Sequence, residues 1–260
     1  MSIAAAPTQD WFKSTAGQYL QAKESALYDH AVSDLFGFNA LQVGGLHTDL
    51  LENSRMPNRY KAQAPSSEVL FAQDLHADLV CTDDFLPFAE MSLDLLLLPH
   101  RLEFSERPHQ TLREAARVMM PDGHLIISGF NPLSAWGACA FLKKLFSKQV
   151  HYPWQGNFIG LNRLKDWLAL LGFEVLSVQS CCHVPPVESL AWHKRMRFMD
   201  SLGRHAWSGF GGVYFIVAKK RVPGMTPIRP NWKQAASSNI LAVRPKSNTR
   251  PSKSREKFKP

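Results

Sequence analysis

Residues able to do chemistry fall at four places in the sequence, each directly after a short apolar run. They are Gly44 and Gly45; Thr82, Asp83 and Asp84; Pro99 and His100; and Phe130, Asn131 and Pro132. Glycine has no Cβ, so a Gly-Gly pair lets a ligand approach the backbone closely, although turn geometry explains such a pair equally well. A carboxylate in a turn can accept hydrogen bonds from a ligand's amino or hydroxyl groups, and a solvated turn carries one just as readily. His100, with Glu103 three residues on, has the side chain that titrates nearest neutrality and so can take a proton or orient a substrate; a solitary turn histidine also serves structure alone. The four cysteines, Cys81, Cys139, Cys181 and Cys182, form no C-x-x-C pair, and the ten histidines show neither H-E-x-x-H nor H-x-x-E-H spacing. No metal site is expected.

Positioning these groups requires strands that end where they begin. Residues 39–43 read as a first strand ended by Gly44, and 48–54 as a helix-like stretch ended by Pro57. Residues 79–81 read as another strand, leading into the turn-like Thr82, Asp83 and Asp84. Residues 93–98, broken only by Asp94, have the continuous apolar pattern of a strand covered on both faces of a parallel sheet, which predicts a central place. Pro108 suits the first turn of a helix carrying Leu112, Ala115, Ala116 and Met119 on one face, with Pro121, Asp122 and Gly123 ending it before a strand at 125–128. Leu164, Trp167, Leu168 and Leu171 repeat at helical spacing, with Gly172 as the residue just past the helix, and 173–178 and 213–218 read as further strands. An N-terminal helix, with Ala16, Leu20, Leu27 and Ala31 at helical spacing, precedes them all. Strands alternating with helices imply a parallel α/β sheet, and such a sheet binds ligands beyond the carboxyl ends of its strands.

Composition narrows the classes. At 260 residues, 45% hydrophobic and 20% charged, the chain is ordinary for a globular protein of one domain with extensions. Its longest apolar stretch, near 95–98, is far too short to span a bilayer, and no basic start precedes an apolar block. No membrane span and a cytoplasmic location are expected. The net charge of +8 is uneven: residues 219–260 carry +11 and residues 1–218 carry −3. A Pro-rich basic tail of this kind is expected to be largely disordered and to bind anionic partners non-specifically.

The run from Cys81 to Ile127 gives these elements a family context. Leu86-Pro87-Phe88, Ser92-Leu93-Asp94, Leu112-Arg113-Glu114, Arg117-Val118-Met119-Met120-Pro121-Asp122-Gly123 and Leu125-Ile126-Ile127 resemble, in order and spacing, the class I S-adenosylmethionine-dependent methyltransferases of the small-molecule (type 11) kind. Leu171-Gly172-Phe173-Glu174-Val175 looks like the turn after that family's next helix. The fold this resemblance implies is α/β: a Rossmann-like seven-stranded, mostly parallel sheet with helices on both faces and one antiparallel strand. It would span residues 37–222, with an N-terminal helical extension at 1–36, a candidate helical or aromatic lid at 136–160, and the tail at 223–260. The aromatic residues Trp136, Phe141, Phe146, Tyr152, Trp154 and Phe158 suit either a lid over an apolar substrate or a helical cap on the sheet.

The resemblance also implies S-adenosylmethionine as cofactor and a small or medium-sized acceptor. Cofactor contacts carry over to Gln42, Gly44, Gly45, Thr82, Asp83, Asp84 and Pro99, with Asp83 favoured over its neighbours for the adenine side, and His100 as the candidate base or orienting residue. Two departures stand out. Gln42 occupies the position of the family's acidic residue, and of its three spaced glycines only Gly44 survives, with Leu46 and Thr48 at the other two positions. The acidic residue expected after the second strand to hold the ribose hydroxyls has no counterpart between Asn58 and Glu68. A catalytically degenerate binding or regulatory module on the same fold is the competing reading. A nicotinamide-dependent oxidoreductase fits less well, because G-x-G-x-x-G is missing after the first strand.

Overall fold

In the computed structural model of the chain, residues 9–45, 48–64, 77–147, 150–186, 195–196 and 209–221 are described. The chain enters through α1 (Gln9–Phe12) and α2 (Thr15–Ser33), then runs through β1 (Asn39–Val43), β2 (Asn58–Gln63), β3 (Leu79–Val80), β4 (Leu93–Pro99), α3 (Pro108–Val118), β5 (Met119–Phe130), α4 (Ala135–Phe146), α5 (Leu161–Leu170), β6 (Phe173–Cys181) and β7 (Val213–Lys220). The seven strands make one sheet in the order β3-β2-β1-β4-β5-β7-β6. Strands β1 to β5 pair in parallel and β7 runs antiparallel between β5 and β6, the seven-stranded arrangement the resemblance implied. The tail expected at 223–260 lies outside the described residues.

Strand alternation splits the apolar side chains into two layers. Leu41, Leu96, Leu98, Leu125, Ile127 and Ile216 face α3 and α5, where Leu112, Ala115, Leu164 and Leu168 cover them. Ala40, Leu95, Leu97, Ile126 and Phe215 point the other way, onto Tyr28 and Val32 of α2 and onto Leu51 and Met56. The central strand β4 is thus buried on both sides, the burial its unbroken leucines anticipate. Its one acidic residue, Asp94, earns its place structurally: its Oδ2 accepts the backbone N–H groups of Phe38 and Asn39 at 2.9 and 3.0 Å and so fixes where β1 starts.

Helix α2 begins at Ser14, whose hydroxyl accepts the Gly17 N–H at 3.1 Å. Its buried ridge repeats every four residues, Ala16, Leu20, Glu24, Tyr28 and Val32. One member of that ridge, Glu24, is ionisable.

Two local expectations change, and one strand was not anticipated. Residues 48–54 form turns, not a helix: Gln42 Oε1 takes the Leu50 N–H and Asp49 Oδ1 takes the Leu51 N–H, so side chains claim donors that helical bonding would need. Met119 leaves the helix and opens β5. The Pro121-Asp122-Gly123 turn exists, but as an irregularity within that strand, where the register passes from Leu93↔Met119 to Leu95↔His124 and Asp122 takes φ +63°. Finally, β2 (NRYKAQ) is a strand that its polar sequence does not announce, since most of its side chains are not buried.

Candidate functional site

The carboxyl ends of β1 to β4 bring the four groups of residues together. Register places Val43 beside Ala62 and Gln63 beside Val80, so Gly44, Gln63 and Cys81 lie side by side along one edge of the sheet. Gly44 and Gly45 both adopt left-handed φ, +77° and +63°, in which a side chain would be strained. A Cβ on Gly45 would also approach Pro99 Cγ to 2.7 Å, and one on Gly44 would collide with Arg101 Cδ.

Gln42 is fully buried and braces this turn. Its Nε2 donates to the carbonyls of Gly44, Gly45 and Thr48 at 3.1, 3.2 and 3.0 Å, and its Oε1 accepts the Leu50 N–H at 3.0 Å. Both ends of the amide are spent on backbone. A carboxylate here could not donate, so the glutamine is fitted to three inward-facing carbonyl oxygens. Gln42, expected among the cofactor contacts, is therefore placed as a support of the turn.

Asp83 and Asp84 diverge. Asp83 is buried, and its Oδ2 accepts from Arg101 Nη2 and, at 3.0 Å, Arg101 Nε, while its Oδ1 is buried without a partner among the described residues. Asp84 stands outward, 3.9 Å from Arg107. Thr82 is exposed and pairs with Phe85 across the intervening turn. Gln63, at the end of β2, has a buried Oε1 that is likewise without a partner among the described residues.

His100 sits at the start of the turn after β4 with φ +49°, its N–H held by Ser128 O at 3.0 Å. Its Nδ1 meets Glu103 Oε1 and its Nε2 meets Glu24 Oε1, both at 2.8 Å, with all three side chains buried. Burial by itself would lower the imidazole's pKa; the two carboxylates outweigh it and push the value up to about 10. Across the neutral range the ring is thus an imidazolium with both nitrogens engaged. That placement does not suit the general-base role expected of it, because no ring nitrogen is left to take a proton. Glu103 Oε1 also accepts the Phe130 N–H at 3.0 Å, whereas Glu103 Oε2 is buried without a partner among the described residues. The nearby phenols of Tyr28 and Tyr152 are raised well above their ordinary value by burial and by the same carboxylates.

Between α2 and this edge lies a cavity of about 20 Å³, walled by Glu24, Gly45, Pro99, His100, Arg101 and Tyr152. That is room for about one water molecule. Arg101 is part of the cavity wall, with its alkyl chain against Gly44 and its guanidinium held by Asp83. Above it, Trp136, Tyr152 and Trp154 are buried in an aromatic cluster with Phe12 and Phe130, and Phe158 stacks on Phe130 at 5.0 Å; Phe141 and Phe146 face outward. Among the described residues no His, Cys, Asp and Glu group is arranged to hold a metal, and no helix is long and apolar enough to cross a membrane.

Glu24, Arg101 and Gln63 were not singled out by sequence. Only Glu24 carried a signal, as the ionisable member of an every-fourth-residue ridge.

Comparison with known proteins adds the following. The methyltransferase domain family matches residues 44–127. The uncharacterized protein YafS of Escherichia coli (strain K12) is 35% identical over 194 residues, covering 74% of this chain and 72% of YafS. Among solved structures, a S-adenosylmethionine-dependent methyltransferase, described as a possible histamine N-methyltransferase, from Thermotoga maritima superposes with a TM-score of 0.55 at 18% identity, over 82% of this chain and 94% of that one. The [4+2]-cyclase SpnF gives a TM-score of 0.52 at 18% identity, over 77% and 80%.

Proposed function

The chain belongs to the methyltransferase domain family, and from that premise we propose that it is an S-adenosylmethionine-dependent methyltransferase acting on a small or medium-sized acceptor. The observation that carries this reading is the pair of buried acceptor atoms without a partner among the described residues, Gln63 Oε1 at the end of β2 and Asp83 Oδ1 in the turn after β3. A buried acceptor without a donor is costly, and a ribose hydroxyl and an adenine amino group are donors of the kind that would satisfy such atoms. Gly44 and Gly45 leave the adjoining backbone open to close approach.

When bound, the cofactor supplies an electrophilic methyl group on a sulfonium. The chain's own residues would do the rest. Two carboxylates against one imidazolium leave the Glu24–His100–Glu103 cluster one net negative charge, which suits a cationic sulfonium. His100 acts as a positioning residue, holding Glu103 so that its Oε2 can orient an acceptor's N–H or O–H. Arg101 must leave Gly44, because a nucleoside-sized ligand needs roughly 300 Å³ or more.

That last requirement is also the observation favouring the second reading, a methyltransferase-fold binding module in which Arg101 permanently fills the cleft. Calorimetry of the full chain with S-adenosylmethionine and S-adenosylhomocysteine separates the two. Micromolar binding, about −8 kcal/mol at 1 μM, is expected of the enzyme. No heat from well-folded protein at millimolar ligand would overturn the enzyme reading in favour of the module. With binding in hand, transfer of a labelled methyl group into a metabolite extract identifies the acceptor.

A further inference from the structure

Helix α4 has the sequence AWGACAFLKKLF and is apolar on both of its faces. The inner face is accounted for: Trp136 stacks on Phe130 at 5.7 Å and donates from Nε1 to Val184 O at 2.9 Å, with Gly137 and Ala140 buried beside it. The outer face carries Phe141, Leu142, Leu145 and Phe146, each half to four-fifths exposed, and Leu133 is equally exposed in the turn just before the helix. At 3.6 residues per turn the four helical side chains cover an arc of about 140°. A helix exposing so wide an apolar arc to water is unusual in a monomeric domain, where patches of this kind mark interaction surfaces.

Lys143 and Lys144 border the arc on its two sides. Each stem lies along the domain, Lys143 with its ammonium 4.6 Å from the Trp154 ring centre and Lys144 donating to Gly156 O at 2.7 Å, so their charges are fixed at the edges of the apolar strip. Alongside, a groove of about 540 Å³ runs between Phe141 and Phe158, floored by Gly137 and bordered by Leu133.

We propose that this face docks the protein on an anionic lipid bilayer, with Phe141, Leu142, Leu145 and Phe146 entering the interface and Lys143 and Lys144 meeting lipid phosphates. An apolar strip flanked by lysines on a helix is the composition that lies in the plane of a membrane interface. Charge selects this occupant over two others. The chain's own tail carries +8 over residues 223–260 and would set like charge against Lys143 and Lys144, and a second copy would bring the same lysines together. Anionic lipid complements the helix lysines, adding an electrostatic attraction to the burial of the apolar strip.

Vesicle flotation of the full chain tests this, at physiological ionic strength. Vesicles of phosphatidylcholine alone are compared with vesicles holding about 30 mol % phosphatidylglycerol. The wild type is expected to float with the anionic vesicles and not with the neutral ones. The variant Phe141→Ser/Leu145→Ser/Phe146→Ser, with the tail intact, is expected to partition about tenfold or more weakly at an unchanged melting temperature. Should that variant fold poorly, Phe146→Ser alone, at the exposed end of the helix, gives the same readout with smaller amplitude. Absence of wild-type binding, or equal binding by the variants (the tail acting alone), overturns the proposal. So does a wild-type dimer in sedimentation that the variant converts to monomer, which would assign the face to a second copy.

Discussion

Glu24 and His100 lie 76 residues apart in the chain and meet at 2.8 Å, tying helix α2 to the carboxyl end of the central strand. With Glu103 on the other ring nitrogen, the histidine links the helical layer to the sheet through two charge-assisted hydrogen bonds in a buried setting. Such a link stabilises only while the ring is charged.

The pH dependence follows from the direction of the shift. In the folded protein the imidazolium persists up to about pH 10, whereas in the unfolded chain it titrates near 6.5. The link's contribution is therefore complete below 6.5 and is lost as pH rises toward 10. Melting temperature of the wild type should fall over that window, and His100→Gln should flatten the profile while lowering stability at neutral pH by about 3 kcal/mol, since it leaves two buried carboxylates uncompensated. Melts by circular dichroism from pH 6 to 10 decide it; a variant profile parallel to the wild type would refute the assignment.

Arg101→Ala should open the cleft. Removing a side chain that must otherwise be displaced from Gly44 is expected to tighten S-adenosylhomocysteine binding by about tenfold and to speed association, because the cost of breaking its pair with Asp83 disappears. Calorimetry and stopped-flow fluorescence would show both changes. Weaker binding would instead make Arg101 a ligand contact in the bound state.

Gln42→Glu restores the residue type that the family resemblance expects, and it should nevertheless harm this protein. The substitution removes the donor serving three carbonyls and places a carboxylate against them, so a loss of at least about 2 kcal/mol is expected. Urea unfolding measures it, and a neutral result would mean that the turn can rearrange around an acid.

Gln63→Leu keeps the size of the side chain while deleting its buried acceptor. If that oxygen receives a ribose hydroxyl, S-adenosylhomocysteine affinity drops about fivefold, one neutral hydrogen bond's worth, with stability unchanged or raised. Unaltered affinity would take Gln63 out of the site.

Much of the frame could be read without coordinates because it rests on local or periodic signals. The leucines of β4 declare a strand covered on both faces, and Gly172 ends α5 in the left-handed conformation, φ +81°, that a stop glycine implies. The β2 segment escaped because strands whose side chains stay largely exposed have no apolar period to read. The site was legible as a set of positions and opaque as a set of partnerships. Nothing near His100 in sequence reveals Glu24, and nothing near Asp83 reveals Arg101, 18 residues on. Whether a histidine is a base or a fixed cation depends on those partners.

The motif by which this chain is recognised has a mechanical explanation with a practical consequence. Glu114 Oε1 accepts the Leu86 N–H at 2.8 Å, and Arg117, paired with Glu114, donates to the carbonyls of Leu86 and Phe88, so the Leu-Pro-Phe loop is buttoned onto α3. Among the described residues, the side-chain hydrogen bonds of Glu114 and Arg117 go to Leu86, Phe88 and each other, and none to Gly44, Asp83 or His100. Within the matched stretch 44–127 the Leu-Pro-Phe loop is thus held by bonds of its own, distinct from those that hold Asp83 and His100, and substitutions along the sheet edge leave that fastening in place.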